Sequence, residues 1–301
     1  MNTGEAILSR LAGGGSVAER VMIVVAHPDD ETIGLGAQLG RFEDALLVHL
    51  TDGAPRDGED ARNYGFASIA DYAAARRAEL AAALRTGGAA QLRRLDLGIP
   101  DKEAGHDLAG LALQIANLLR AEGPAAVFTH AYEGGHPDHD SAAFAVHTAC
   151  RLAASAPIIV EMPFYHRGDG RFVSGEFLPS PSPPPTRPSR RKPGFVSQPA
   201  EQRRGESRLW PGLLVHSITI AGEALRRKRR IIECFATQRW LLEQFDLSTE
   251  RFRVAPECDF CEPPHPGELH YETLGWNITG EEWRRAASEA LDRLGLVPLC
   301  R

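Results

Sequence analysis

Residues 20–31 read RVMIVVAHPDDE, and this dozen decides the fold. Residues 20–26 are an apolar, β-branched run without polar alternation, the pattern of a strand covered on both faces. His27 ends it. Pro28 suits the first position of a helix, and acids are favoured by the positive end of a helix dipole. The stretch predicts a buried strand followed by a helix over 30–43. Working outward, the same alternation returns. ALLVHLT at 45–51 predicts a second strand, and the Ala-rich segment 67–86 a helix stopped by Gly87-Gly88. Strands follow at 91–97, 125–130 and 157–161, with helices at 107–121 and 138–154. Strands alternating with helices imply an α/β fold: a Rossmann-like, mostly parallel sheet with helices on both faces. Sites in such sheets lie outside the carboxyl ends of the strands. No GxGxxG follows the first strand, which weighs against a dinucleotide.

The chain reads as a single domain over 1–301 with its core at about 18–166. Residues 167–212 are dense in Pro, Ser and Arg and cannot bury enough apolar surface to pack. A disordered insertion is the expectation there, a loop covering a site the alternative. Beyond it, 216–220 predicts a strand and 223–245 a long helix. That helix carries the run Arg226-Arg227-Lys228-Arg229-Arg230, read as a solvated face. The remainder is an irregular C-terminal extension over 256–276 and a last helix from Thr279 to near Gly295.

A net charge of -6 and a pI near 6.0 argue against nucleic acid as a partner. No run approaches the roughly 20 apolar residues of a membrane span, and residues 1–20 lack a signal-peptide pattern. Five scattered cysteines make no disulfide framework, so a cytoplasmic location is expected. A homo-oligomer is compatible with the chain.

Two motifs carry chemistry. Ala26-His27-Pro28-Asp29-Asp30-Glu31 sits where the first strand enters the first helix. Helix capping would account for one or two of its acids, but poorly for three behind a histidine. Gly134-Gly135-His136-Pro137-Asp138-His139 repeats the arrangement after strand 125–130, where a plain surface turn is the competing account. Residues three apart can converge at such corners. Together the motifs offer imidazole, carboxylate and imidazole, a common ligand set for catalytic zinc with one position left for water. The same set accepts Fe2+ or another divalent transition metal.

His27-Pro28-Asp29-Asp30-Glu31 with His136-Pro137-Asp138-His139 resembles the LmbE/PIG-L family of zinc-dependent N-acetylglucosamine deacetylases. Thr51-Asp52-Gly53 and Arg76-Arg77-Ala78-Glu79 also sit where the family has similar residues, and the likeness covers about residues 20–165. It implies a metal held by His27, Asp30 and His139, with Asp29 as general base. It implies that His136 stabilises the oxyanion, that Asp138 orients His136, and that Arg76 contacts substrate. The expected substrate is a small N-acetylated amino sugar or sugar conjugate. Another acyl amide, such as a glycopeptide, and a non-catalytic metal-binding relative are the alternatives.

Other residues are weaker candidates. Cys258-Asp259-Phe260-Cys261 with His265 and His270 has ligand-like types, but a lone CxxC reads as a loop with two free thiols. His49 and His130 end strands and could line the site, whereas His147 reads as packed or surface. Asp52 could contact substrate or simply shape a turn. Trp276 could be a core or rim residue or a sugar platform.

Overall fold

The structure is a computed structural model and describes residues 3–178 and 214–297. Five parallel strands form its centre: β1 (Val21–Val25), β2 (Ala45–Pro55), β3 (Arg93–Asp101), β4 (Ala126–His130) and β5 (Ile158–Met162). A separate hairpin, β6 (Tyr165–Gly168) and β7 (Arg171–Ser174), follows. Two later strands, β8 (Val215–Thr219) and β9 (Thr249–Val254), join the main sheet antiparallel, in the order β3-β2-β1-β4-β5-β9-β8. The helices are α1 (Thr3–Ala12), α2 (Asp30–Leu35), α3 (Glu59–Asn63), α4 (Ile69–Gly87), α5 (Leu108–Glu122), α6 (Pro137–Leu152), α7 (Gly222–Ile232), α8 (Arg239–Leu242) and α9 (Gly280–Arg293). The α/β class and the mostly parallel, two-faced sheet are as expected.

Alternation along β1 builds both layers of core. Val21, Ile23 and Val25 face Leu8 of α1, Leu84 of α4 and Ile231 of α7. Met22 and Val24 face the other way, toward Ile115 of α5 and Val146 of α6. All five residues of β1 are buried, so the strand has no solvent face and needs no polar positions. No helix among the described residues is long and apolar enough to cross a membrane.

The departures from expectation have local causes. The helix expected over 30–43 stops at Leu35, with a 3-10 turn at Leu39–Arg41. The Ala37 N–H donates to Glu250 Oε1 on β9 (2.8 Å). The helix expected over 223–245 breaks after Ile232. There Glu79 of α4 accepts bonds from both Thr237 N (3.0 Å) and Thr237 Oγ1 (2.6 Å), drawing the chain into a 3-10 turn. Lys228 is not part of a solvated face: it is fully buried and paired with Glu250 at 2.7 Å. The stretch 167–178 is partly the β6–β7 hairpin rather than disordered, and 179–212 falls outside the described residues. β9 carries no strand signal in its sequence, because one of its two buried positions is Glu250, which breaks the apolar pattern.

Candidate active site

In this strand order β1 leads outward to β2 and β4 leads outward to β5, so connections diverge between β1 and β4. That divergence opens a crevice at the carboxyl ends of the strands. Both motifs stand there. His27 leaves β1 and precedes α2. His136 is the N-cap of α6 with Pro137 at its first position.

Ligand-type atoms of three residues meet, with Asp30 offering one carboxylate oxygen to each ring. His27 Nδ1 lies 3.3 Å from Asp30 Oδ2 and 3.3 Å from His139 Nε2, and His139 Nε2 lies 3.3 Å from Asp30 Oδ1. Ligands about 2.0–2.1 Å from a tetrahedral ion would stand roughly 3.3–3.4 Å apart, so the triad fits a zinc-sized cation. Asp30 is fixed from within its own corner, because Oδ2 accepts the His27 N–H at 2.7 Å. Burial opposes charge on Asp30, but the imidazoles of His139 and His130 hold its carboxyl well below the usual range.

A second group, His27, Asp101, His136 and Asp138, overlaps the first through His27. It lies on the other ring nitrogen: His27 Nε2 is 3.0 Å from Asp101 Oδ1 and 3.3 Å from Asp138 Oδ2. A metal-binding imidazole commonly donates its far N–H to a carboxylate. Asp138 is already occupied by backbone donors, accepting from Lys102 N (2.6 Å) and Ala104 N (3.0 Å). The second group therefore suits support of the first better than a second ion. Burial would lower the His27 pKa, but Asp101, Asp138 and Asp30 outweigh it and raise it well above normal.

The structure places Asp138 differently from the role implied for it. Its carboxylate meets His27, and it is its backbone N–H that meets His136, donating to Nδ1 at 3.1 Å. That bond leaves the His136 proton on Nε2, 3.7 Å from Asp101 Oδ1. Burial, then the neighbouring His27, pushes the His136 pKa well down, so the ring is a neutral donor.

Asp29 stands at the N-cap position of α2, yet its side chain makes no capping bond. Its Oδ2 is 3.1 Å from Arg76 Nη2. Burial raises the Asp29 carboxyl to about 7, with Arg76 pulling against it. Arg76 is itself buried and also donates to Gly53 O (3.0 Å) and Pro28 O (3.2 Å). It therefore stands behind Asp29, with both terminal nitrogens bonded to protein.

His130 lies flat against His139, ring centroids 4.1 Å apart, and its Nε2 accepts from Ala26 N at 3.0 Å. Burial and His139 lower it to about 3. His49, which lies within β2 rather than at its end, contacts Glu31 at 3.0 Å, and Glu31 Oε2 in turn accepts from Asp29 N (3.1 Å), so His49 and His130 both support the site from behind. His147 is packed on Glu161. Asp52 lies within β2, where the register with β3 shifts, and accepts from Ala54 N at 3.0 Å. Cys258 and Cys261 are free thiols packed beside Phe260, and among the described residues no metal-ligand cluster includes them.

Asp101 escaped sequence reasoning. The predicted strand ended at 97, four residues short of the carboxyl end of β3. The rule that sites gather at such ends would have found it with the strand drawn to full length.

Fold and site together define an α/β protein with an imidazole–carboxylate–imidazole set, fit for a divalent cation, at its switch point. Residues 22–150 match the family model described as PIG-L: GlcNAc-PI de-N-acetylase. A 1D-myo-inositol 2-acetamido-2-deoxy-alpha-D-glucopyranoside deacetylase of Catenulispora acidiphila is 30% identical over 169 residues, 48% of this chain. The match spans 56% of that relative, little more than half its length. Among solved structures, a zinc-inhibited form of the teicoplanin deacetylase Orf2 shares the fold, with TM-score 0.54 and 17% identity over 80% of this chain and 99% of that one. The A40926 pseudoaglycone deacetylase Dbv21 does likewise, with TM-score 0.52 and 18% identity over 80% and 100%.

Proposed function

We propose that this protein is a zinc-dependent hydrolase that removes the acetyl group from an N-acetylated amino sugar or sugar conjugate. One observation carries the reading: His27, Asp30 and His139 present their ligand atoms at mutual separations of 3.3 Å, with a carboxylate of raised pKa, Asp29, next in the chain. The family match and the named activity of the Catenulispora relative support an amino-sugar amide as substrate. That β8 and β9 complete the sheet supports one domain for the described chain.

A divalent cation bound by the triad would supply Lewis acidity to the amide carbonyl and to the attacking water. The chain's own residues do the rest. Asp29 takes the proton of the water, and a carboxyl near pH 7 is matched to that task. Arg76 fixes the carboxylate through Oδ2 and leaves Oδ1 for the proton. His136 donates its Nε2–H to the oxyanion that forms as the carbonyl is attacked. Asp101 accepts from His27 Nε2 and so turns Nδ1 of that ring to the triad, while the Asp138 N–H fixes the His136 tautomer. The proton held by Asp29 is then delivered to the departing amine, because neutral His136 has none to spare beyond its hydrogen bond.

The test is metal content and acetate release for wild type and Asp29→Asn on a panel of N-acetyl sugars. Zinc should remain stoichiometric in the variant while turnover falls by about 10²–10⁴. Zinc-loaded wild type that releases no acetate from any member of the panel would refute the proposal.

A further inference from the structure

We propose that Trp276 is the specificity-determining wall of this site, packing against the pyranose ring of the substrate. The inference rests on the amino-sugar reading above and deepens it. Trp276 lies outside the segment shared with the family, in the tail between β9 and α9. Its ring centroid is 4.8 Å from that of His136. Lys102 Nζ sits 4.7 Å from the indole centroid, within cation–π range. Lys102 follows Asp101 and donates its N–H to Asp138. The two residues Asp101 and Lys102 thus touch His27, His136, Asp138 and Trp276. The other rings beside the triad, Phe164 and Tyr165, are buried, whereas Trp276 keeps part of its surface open.

The placement is built. His270 N–H donates to Gly134 O at 2.9 Å. A Cβ on Gly134, where φ is +70°, would come within 2.7 Å of Leu269 Cδ2, so glycine there lets the tail dock. Glu272 then accepts from both Leu269 N (2.7 Å) and Gly280 N (2.8 Å), closing the tail on either side of the tryptophan. Gly275 and Asn277, its two neighbours, both hold positive φ, 70° and 56°. Glycine and asparagine are the residues that tolerate this conformation, and the pair aims the side chain between them.

Chemistry supplies the ligand. In an N-acetylated 2-amino sugar the amide nitrogen is bonded directly to the ring. A substrate whose amide reaches His136 and the triad must set its ring one bond away, within reach of an indole 4.8 Å from His136. The C–H faces of a pyranose are apolar, and an aromatic ring is the side chain that buries such a face with little loss of freedom. An acyl amide without a ring would leave Trp276 unused.

Binding separates these cases without turnover. In zinc-loaded Asp29→Asn protein, dissociation constants are measured by NMR titration for methyl 2-acetamido-2-deoxy-glucopyranoside and for acetate. Acetate reaches the triad but has no ring. Trp276→Ala should weaken glycoside binding about tenfold, Trp276→Phe by no more than about threefold, and neither should move acetate. Unchanged glycoside binding in Trp276→Ala overturns the proposal. Equal weakening of glycoside and acetate also overturns it, since the tail would then act only as structure. If the parent protein binds acetate but not the glycoside, the amino-sugar reading itself falls.

Discussion

Lys228→Met tests the energetics under the site most directly. Lys228 and Glu250 are 0% and 1% exposed, so the pair sits in a medium where an unpaired charge is expensive. Lys228 Nζ donates to Glu250 Oε1 (2.7 Å) and to Ile33 O of α2 (2.9 Å). Glu250 also accepts from Ala37 N (2.8 Å) and Gln38 Nε2 (3.1 Å), just beyond α2. Methionine keeps the apolar stem and removes the ammonium, leaving a carboxylate with two neutral donors. Breaking a buried pair typically costs about 3–5 kcal/mol. The two surviving donors put this case near the lower end, about 3 kcal/mol. Glu250→Gln in the same chain removes the stranded charge while keeping an acceptor for Ala37, so the double variant should regain about 2 kcal/mol. Urea unfolding of wild type, both singles and the double closes the cycle. A Lys228→Met loss below about 1 kcal/mol, or a double variant no more stable than that single, would show the pair is not what holds α2 to the sheet.

Two further outcomes follow from the site. Burial raises Asp29 to about 7 against the pull of Arg76, so Arg76→Met should raise it further. The deprotonated form is the base, so the acidic limb of kcat/KM should move to higher pH; an unmoved or acid-shifted limb would contradict the pairing. At Gly135 a Cβ would lie 2.0 Å from Tyr165 O, a backbone atom that cannot swing aside. Gly135→Ala should therefore lose about 3 kcal/mol of stability, read as a lowered Tm; a wild-type Tm would refute the packing.

Much of this protein is legible in short stretches of its chain. The β-branched run at 20–26, the Gly87-Gly88 stop and the acid- and proline-led corners are local signals, read by strand and helix periodicity within a dozen residues. They place both motifs at strand ends and name the ligand types before any coordinates. What they cannot carry is distance across the chain. His27 meets Asp138 at 111 positions' separation, and Lys228 meets Glu250 across a strand that its own buried charge disguises. Arg76 stands behind Asp29, and Asp138 offers its carboxylate to one histidine and its backbone to another. The tail sets Trp276 on His136 because Gly134 leaves room for Leu269. These are matters of packing: periodicity tells which face of an element is buried, and only the assembled sheet decides which partner it is buried against.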